Sequence, residues 1–184
     1  MSSEGFRALD EDLLHQGTVV SFNQGEFEAP DGSRFRRDVV RHPGAVSVVA
    51  LTRDGDVVLV RQYRAALDAS VLEIPAGKRD VAHEPPEITA RRELVEEVGL
   101  EAERLTLLAH FHNSPGFSDE ESYVYLATGL TEVDTDLQGP EEAHMTVHRV
   151  PLASIPDRVA ADEITDAKTI IGCLLALRHQ ELAR

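Results

Sequence analysis

The sequence is poor in positive charge. Over 184 residues, 18 Lys and Arg stand against 33 Asp and Glu, which gives a formal net charge of −15. No run of Lys and Arg offers a local basic stripe. So acidic a chain repels the phosphate backbone of nucleic acids and the anionic surface of a membrane. Nucleic-acid polymers and membranes are therefore excluded as predicted partners.

Cysteine and long apolar runs are scarce as well. The single cysteine, Cys173, cannot form an intrachain disulfide, and its apolar context predicts a buried, reduced thiol. Residues 1–17 lack the apolar stretch of a signal peptide, and nothing approaches the roughly 18 continuous apolar residues of a membrane span. We expect a cytoplasmic protein. Its 42% hydrophobic residues are sufficient for a folded core.

Internal repeats and long linkers are also missing, so the chain is predicted to fold as one domain. Runs rich in β-branched residues predict strands at 18–22, 34–40, 45–51, 56–63, 71–75, 104–112, 122–129 and 145–150. Helical periodicity appears from Pro86 to Val98, with Gly99 as its stop, and again from Ile164 to about Leu182. Strands mixed with two helices predict an α/β or α+β layered fold.

The first helix carries a dense acidic cluster. Its apolar residues are predicted to share one face: Ile88, Leu94, Val95 and Val98. Glu93, Glu96 and Glu97 are predicted to lie on the opposite face, where like charges at this spacing repel by about 0.2 to 0.5 kcal/mol per pair. A hard divalent cation would reverse that repulsion, and oxygen ligands without thiolates favour Mg²⁺ or Mn²⁺ over Zn²⁺. The alternative is a solvated helix face.

Residues 77–100, GKRDVAHEPPEITARRELVEEVGL, resemble the Nudix box, G-x5-E-x7-R-E-U-x-E-E-x-G-U, in which U is apolar. The matching positions are Gly77, Glu84, Arg92, Glu93, Leu94, Glu96, Glu97, Gly99 and Leu100. One departure is visible, because six residues separate Gly77 from Glu84 and His83 stands where strict spacing would put the first glutamate. We expect the extra residue to bulge in the loop before the helix, which leaves the role of Glu84 open.

The resemblance implies a Nudix fold, an α/β/α sandwich with a mixed β-sheet, and metal-dependent hydrolysis of a nucleoside diphosphate linked to another group. It implies metal ligands at Glu93 and Glu97, with Glu96 close by and the Ala76 carbonyl oxygen as a further ligand. Arg92 would orient a metal-binding glutamate. Arg92 and Glu96 are therefore predicted to belong to the catalytic machinery.

Features outside the box resemble the ADP-ribose pyrophosphatase subfamily, whose products are AMP and ribose 5-phosphate. Pro115 lies fifteen residues after Leu100, as the subfamily's marker proline does, and RQYR at 61–64, LEIPAG at 72–77 and TDAKT at 165–169 extend the resemblance. The loop at 138–150 implies a mobile general base at Glu142, with Glu141 as its competitor. His144 is a third candidate for the base.

Substrate recognition calls for cations and an aromatic surface. Arg36, Arg37, Arg61 and Arg64 suit the diphosphate, since guanidinium groups bind phosphate oxygens in a fork. Glu73 is predicted to accept from a base or sugar hydroxyl, Phe22 or Phe27 to stack on adenine, and Pro115 to line the site. Related enzymes exchange their N-terminal strands, so residues 1–42 are predicted to dimerise and contact substrate, and 43–184 to form the catalytic domain of a homodimer.

Two alternatives stay open. The chain could hydrolyse a different nucleoside diphosphate sugar, because a set of Arg and Phe residues does not fix the base or the sugar. It could also be a Nudix-like sensor that binds ADP-ribose without cleaving it, which only the extra residue before Glu84 favours. His110 and His112 share a strand face, but no third ligand at a matching spacing supports a zinc site.

Overall fold

The computed structural model describes residues 3–135 and 144–182, which contain ten strands and three helices. The strands are β1 Arg7–Gln16, β2 Ser21–Glu28, β3 Arg34–Arg41, β4 Ala45–Leu51, β5 Asp56–Arg64, β6 Ala69–Glu73, β7 Ala76–Lys78, β8 Leu100–His112, β9 Glu121–Glu132 and β10 Thr146–Pro151. The helices are α1 Pro86–Val98, α2 Ile155–Ala160 and α3 Ala167–Leu182. None of these helices is long and apolar enough to cross a membrane, within the residues described.

The chain divides into two compact units. The first comprises the described residues up to Gly44 together with His112–Glu121, and the second comprises Ala45–Phe111 and the described residues after Glu121. The first unit is built on a three-stranded antiparallel sheet in the order β1-β2-β3. Its 112–121 segment is bound to the end of β3, since the Val40 amide donates to the Phe117 carbonyl at 2.7 Å and the His42 amide to the Asp119 carboxylate at 2.9 Å.

Strand β1 was not predicted from the sequence, and β2 begins later than predicted. Every residue of β1 is exposed, and its sequence, RALDEDLLHQ, does not alternate between apolar and polar residues in the way that predicts a strand. Of the strand predicted at 18–22, only Ser21 and Phe22 belong to β2. The first three positions are wrong, because the Gly17 amide donates to the Val20 carbonyl at 2.9 Å and closes a turn there. The apolar residues Val19 and Val20 therefore lie in the β1–β2 connection.

The second unit contains a mixed sheet in the order β10-β5-β4-β9-β8. Strands β4 and β9 run parallel, whereas β4 with β5, β5 with β10 and β5 with β6 run antiparallel. The short strand β7 adds to β4 antiparallel, with Val46 opposite Gly77 and Ser47 opposite Ala76. This register brings the first residues of the predicted Nudix box onto the edge of the central strand.

Helices cover both faces of this sheet. On one face Val49 and Val124 pack with Cys173 of α3 and Ile155 of α2. The opposite face packs through side chains that include Val48 and Tyr125 against Ala90 and Leu94 of α1. Alternate residues of each strand thus feed two separate cores. The arrangement confirms the predicted sandwich of helices around a mixed sheet.

Helix α1 begins and ends where the sequence predicts. Pro86 opens it, and Gly99 closes it at φ 61°, in the left-handed region that favours glycine. Its buried face is Thr89, Ala90, Glu93, Leu94 and Glu97. The predicted division of faces is therefore wrong, because Ile88 is half exposed and two of the glutamates are buried.

Candidate active site

The candidate site is formed where α1 packs against β7. Glu93 is only 9% exposed, and its carboxylate lies directly against Gly77. A Cβ added at Gly77 would stand 1.8 Å from the carboxyl carbon of Glu93 and 2.1 and 2.3 Å from its two oxygens. A residue with a Cβ at this position would force the carboxylate of Glu93 to move, because that side chain already fills the space.

Glu97 lies one helical turn further along the same face of α1. It is 5% exposed, and its Oε2 accepts a hydrogen bond from the Ala76 amide at 3.0 Å. Buried carboxylates are costly unless they are hydrogen-bonded or paired with a cation. Two carboxylates are thus held out of water beside the first two residues of β7, Ala76 and Gly77.

Arg92 balances part of this negative charge. Its Nη1 lies 3.0 Å from Glu93 Oε1 and 3.0 Å from Glu96 Oε2, and its Nη2 lies 3.6 Å from Glu84 Oε2. Burial lowers the pKa of Arg92, but the charges of these three glutamates outweigh burial and raise it. The guanidinium therefore stays charged and fixes the orientation of the surrounding carboxylates.

The extra residue in the box is accommodated before the helix. His83 adopts φ 65°, a left-handed conformation, and the Glu84 amide donates to the Val81 carbonyl at 3.2 Å. The side chain of Glu84 still reaches the neighbourhood of Arg92. Because α1 starts only at Pro86, the bulge leaves the spacing of Glu93, Glu96 and Glu97 unchanged.

The donor set suits a hard divalent cation. Within residues 3–135 and 144–182, no three His, Cys, Asp or Glu side chains are grouped closely enough to hold a metal by themselves. Mg²⁺ is commonly bound by one or two carboxylates together with water and substrate phosphates, without a complete protein cage. Two buried carboxylates beside a backbone turn fit that mode of binding.

A second charged cluster adjoins the β6–β7 loop from the other side. Arg64 Nε and Nη2 donate to the two oxygens of Glu73 at 2.7 Å each, and Glu73 is only 2% exposed. Lys168 Nζ lies 3.7 Å from Glu73 Oε2 and 2.6 Å from Asp166 Oδ1. The hydrogen bond to Glu73 raises the pKa of Arg64, and the charges of Glu97 and Asp166 add to that effect.

The sequence did not single out the residues of α3 that take part in this cluster. Asp166, Lys168 and Thr169 lie in the TDAKT segment, which entered the prediction only as part of the family resemblance. The signal that the sequence offers for them is a group of polar residues at the start of an otherwise apolar helix, where buried polar groups need hydrogen-bond partners. Thr169 and Lys168 contact Ile74 and Glu73, each 95 residues earlier in the chain, so pattern alone could not identify these pairs.

Other predicted substrate residues lie on the first unit. Phe22 is 41% exposed, whereas the ring of Phe27 stacks on Phe35 with centroids 5.6 Å apart. The guanidinium of Arg37 lies 4.8 Å from the centroid of Phe35. Arg36 donates to Gln24 Oε1 at 3.1 Å. Arg36, Arg37 and also Pro115 in the 112–121 segment are exposed.

The remaining candidates fall on the second unit or outside the described residues. Arg61 is exposed on β5, and His144 is exposed just before β10. His110 stacks on Tyr123, with ring centroids 4.2 Å apart and an interplanar angle of 10°. The two glutamates considered as the general base, Glu141 and Glu142, lie outside the described residues.

With this geometry, the chain can be placed in its family. Residues 41–170 match the model of the NUDIX domain, and the chain belongs to that family. The predicted Nudix resemblance is thereby confirmed, and with it the prediction of a Nudix hydrolase.

Two relatives and one solved structure show which members of the family the chain resembles. The chain is 41% identical over 174 residues to an ADP-ribose pyrophosphatase of Mycobacterium tuberculosis, covering 95% of this chain and 84% of that protein. It is 37% identical to an ADP-ribose pyrophosphatase of Bacillus subtilis, covering 92% and 91%. A crystal structure of an ADP compounds hydrolase shares the fold, with a TM-score of 0.85 at 21% identity over 100% of this chain and 98% of that one.

Proposed function

We propose that the chain hydrolyses ADP-ribose to AMP and ribose 5-phosphate. The observation that carries the proposal is the pair of buried carboxylates, Glu93 and Glu97, held against Ala76 and Gly77. The names of the relatives from M. tuberculosis and B. subtilis support the choice of ADP-ribose. In the reaction one P–O bond of the diphosphate breaks. Water supplies its oxygen to one product, one proton to the leaving phosphate and the other proton to the base.

The site would hold Mg²⁺, with Mn²⁺ as the alternative. Glu93, Glu97 and the Ala76 carbonyl oxygen would be its ligands, with Glu96 beside them. When bound, the metal would neutralise the phosphate oxygens and make water more acidic. Arg92 would keep Glu93 and Glu96 oriented toward the cation, because its Nη1 contacts both carboxylates at 3.0 Å.

The proton of the attacking water needs an acceptor. Glu142 is the proposed general base, and Glu141 and His144 are the competitors. A base on the segment between β9 and β10 suits a group that approaches the diphosphate after substrate binds. Substituting each of the three residues in turn and measuring the pH dependence of kcat would identify which of them is the base.

Diphosphate and adenine would be bound by different residues. Arg36, Arg37, Arg61 and Arg64 are proposed for the diphosphate. Phe22 is preferred over Phe27 for stacking on adenine, because Phe27 already uses its ring face on Phe35. Both oxygens of Glu73 accept from Arg64, so a role for Glu73 toward substrate would use the remaining lone pairs of its carboxylate. Pro115 would shape the loop at 112–121.

The proposed assembly is a cytoplasmic homodimer. Several large apolar side chains of the first unit are exposed: Phe6, Leu9, Leu13, Leu14, Val19, Val20 and Phe22. Apolar side chains clustered at the surface of one unit favour association with a partner. Light scattering coupled to gel filtration should give twice the chain mass of 20.2 kDa, and a monomer at micromolar concentration would remove the dimer from the proposal.

Another nucleoside diphosphate sugar is the second candidate substrate. It is favoured by 31% identity to a GDP-mannose pyrophosphatase of Klebsiella pneumoniae, over 92% of this chain and 90% of that protein. Comparing kcat/KM for ADP-ribose, ADP-glucose and GDP-mannose decides between the two substrate assignments. Binding of ADP-ribose without turnover at saturating Mg²⁺ would instead favour the sensor.

The decisive test of the carboxylates compares two Glu→Gln variants. Glu97→Gln should lower kcat for AMP release by at least about 100-fold, the scale expected when a charged group in the reacting geometry is lost. Glu101→Gln, at an exposed position of β8, should behave as wild type. Full activity of Glu97→Gln would remove the proposed site.

A further inference from the structure

Three successive backbone groups leading into the candidate site are each held by a different element. The Ile74 amide donates to Thr169 Oγ1 of α3 at 2.8 Å. The Pro75 carbonyl accepts from the Val48 amide of β4 at 2.9 Å. The Ala76 amide donates to Glu97 of α1 at 3.0 Å. The main chain leading to the Ala76 carbonyl is therefore held by α3, β4 and α1 together.

The bond from α3 is made by a side chain that has no access to solvent. Thr169 is 0% exposed, and its hydroxyl accepts from Ile74 while donating to Asp166 Oδ2 at 2.7 Å. The Thr169 amide also donates to Asp166, at 2.9 Å, so that Asp166 caps the start of α3. The Thr169 hydroxyl can do both at once, because a hydroxyl carries one donor hydrogen and two acceptor lone pairs.

The same helical turn also contacts the residue before Ile74. Lys168 bridges Asp166 and the buried Glu73, as described above. Glu73, the last residue of β6, is thus bound to α3 through its side-chain charge, and Ile74, the next residue, through its main chain. An unpaired Ile74 amide in this buried position would be costly, and the chain would shift to find another acceptor.

We propose that Thr169 is a positioning residue for the metal site. Its hydroxyl fixes the Ile74 amide, and through it the Ala76 carbonyl two residues further on, relative to Glu93 and Glu97. The inference rests on the proposed function, since it assumes that Ala76 and the two glutamates bind the metal. Residues that orient metal ligands typically change metal affinity or activity by about 10- to 100-fold when they are replaced.

The test measures Mn²⁺ binding to the full chain without substrate, from the EPR signal of free Mn²⁺. Thr169→Val, which keeps the shape and removes the hydroxyl, should weaken binding at least about tenfold and speed exchange of the Ile74 amide. Thr169→Ser should restore both. Thr52→Val is the matched control, because Thr52 Oγ1 likewise accepts a backbone amide, that of Asp56 at 3.1 Å, but in the β4–β5 turn; it should bind Mn²⁺ as wild type.

Wild-type Mn²⁺ affinity in a folded Thr169→Val variant would overturn the inference, and so would equal losses in the Val and Ser variants. Thr169→Ala replaces Thr169→Val in the same comparison if the Val variant does not fold. A wild-type protein that binds no Mn²⁺ also overturns it. Failure of the proposed function is seen separately, as wild-type protein that binds Mn²⁺ but releases no AMP from ADP-ribose.

Discussion

Gly77 offers a sharp perturbation of the site, because one methyl group there must displace Glu93. The Cβ of an alanine would stand 1.8 Å from the Glu93 carboxyl carbon, whereas ordinary contacts begin at 3.4 Å. Gly77 is not among the residues with positive φ, so the added strain is steric. The Glu93 carboxylate must retreat by about 1.5 Å, and a misplacement of about 1 Å in a reacting geometry costs on the order of 100-fold in rate.

We expect Gly77→Ala to lower kcat for ADP-ribose by at least about 100-fold and to weaken Mn²⁺ binding. The assay is AMP release at saturating Mg²⁺, with thermal unfolding measured in parallel. Gly55→Ala is the control, since Gly55 has φ +88° and nothing within 4 Å of an added Cβ. That variant should lose about 1 kcal/mol of stability through its left-handed backbone but keep its activity. Unchanged rate and metal affinity in Gly77→Ala would refute the assigned position of Glu93.

Three further predictions concern stability and reactivity. Arg64→Ala should reduce the free energy of unfolding in urea by about 2 to 3 kcal/mol, since it removes both hydrogen bonds of Arg64 to the buried Glu73 and leaves Lys168 at 3.7 Å. Adding Glu73→Gln should recover part of the loss, and no recovery would contradict the pairing. Burial raises the pKa of Asp166, but the contacts with Lys168 and Thr169 outweigh burial and hold that pKa below 3.8. The ionised carboxylate therefore stabilises the fold above pH 3.8, and this stabilisation is lost as the pH falls through the lowered pKa. Asp166→Asn should therefore be less stable at neutral pH and flatter in its acid unfolding curve, and an unchanged curve would count against the cluster. Burial raises the pKa of Cys173 to about 12, so iodoacetamide should label the thiol only after unfolding, and rapid labelling of native protein would contradict its burial.

The elements that the sequence predicted well have strong local signals. Helix α1 was predicted from Pro86 to Val98, because proline and glycine mark its ends and its period is regular. Strand β4 and residues Val57–Val60 of β5 are mostly apolar and buried on both faces. Strand β1 gave no such signal, because all ten of its residues are exposed and it is held as a strand by pairing with β2.

The candidate site was predictable in its residues and not in its geometry. The box identified Glu93, Glu97 and Gly77, but the helical pattern placed the glutamates opposite the apolar face. In the structure they are buried because they pack on the backbone of β7, and hydrophobic periodicity cannot register a carboxylate buried by a polar contact. The link from Thr169 to Ile74 joins residues 95 positions apart, and only the folded chain brings them together.

Metal-dependent cleavage of ADP-ribose at the two buried carboxylates beside Ala76 and Gly77 is tested most directly by ³¹P NMR. ADP-ribose is incubated with the wild-type chain, first with Mg²⁺ and then with excess EDTA. We expect the diphosphate signals to be replaced by the two phosphomonoester signals of AMP and ribose 5-phosphate with Mg²⁺, and to persist with EDTA. Persistence of the diphosphate in both samples, or its cleavage in both, would contradict the proposed metal-dependent cleavage.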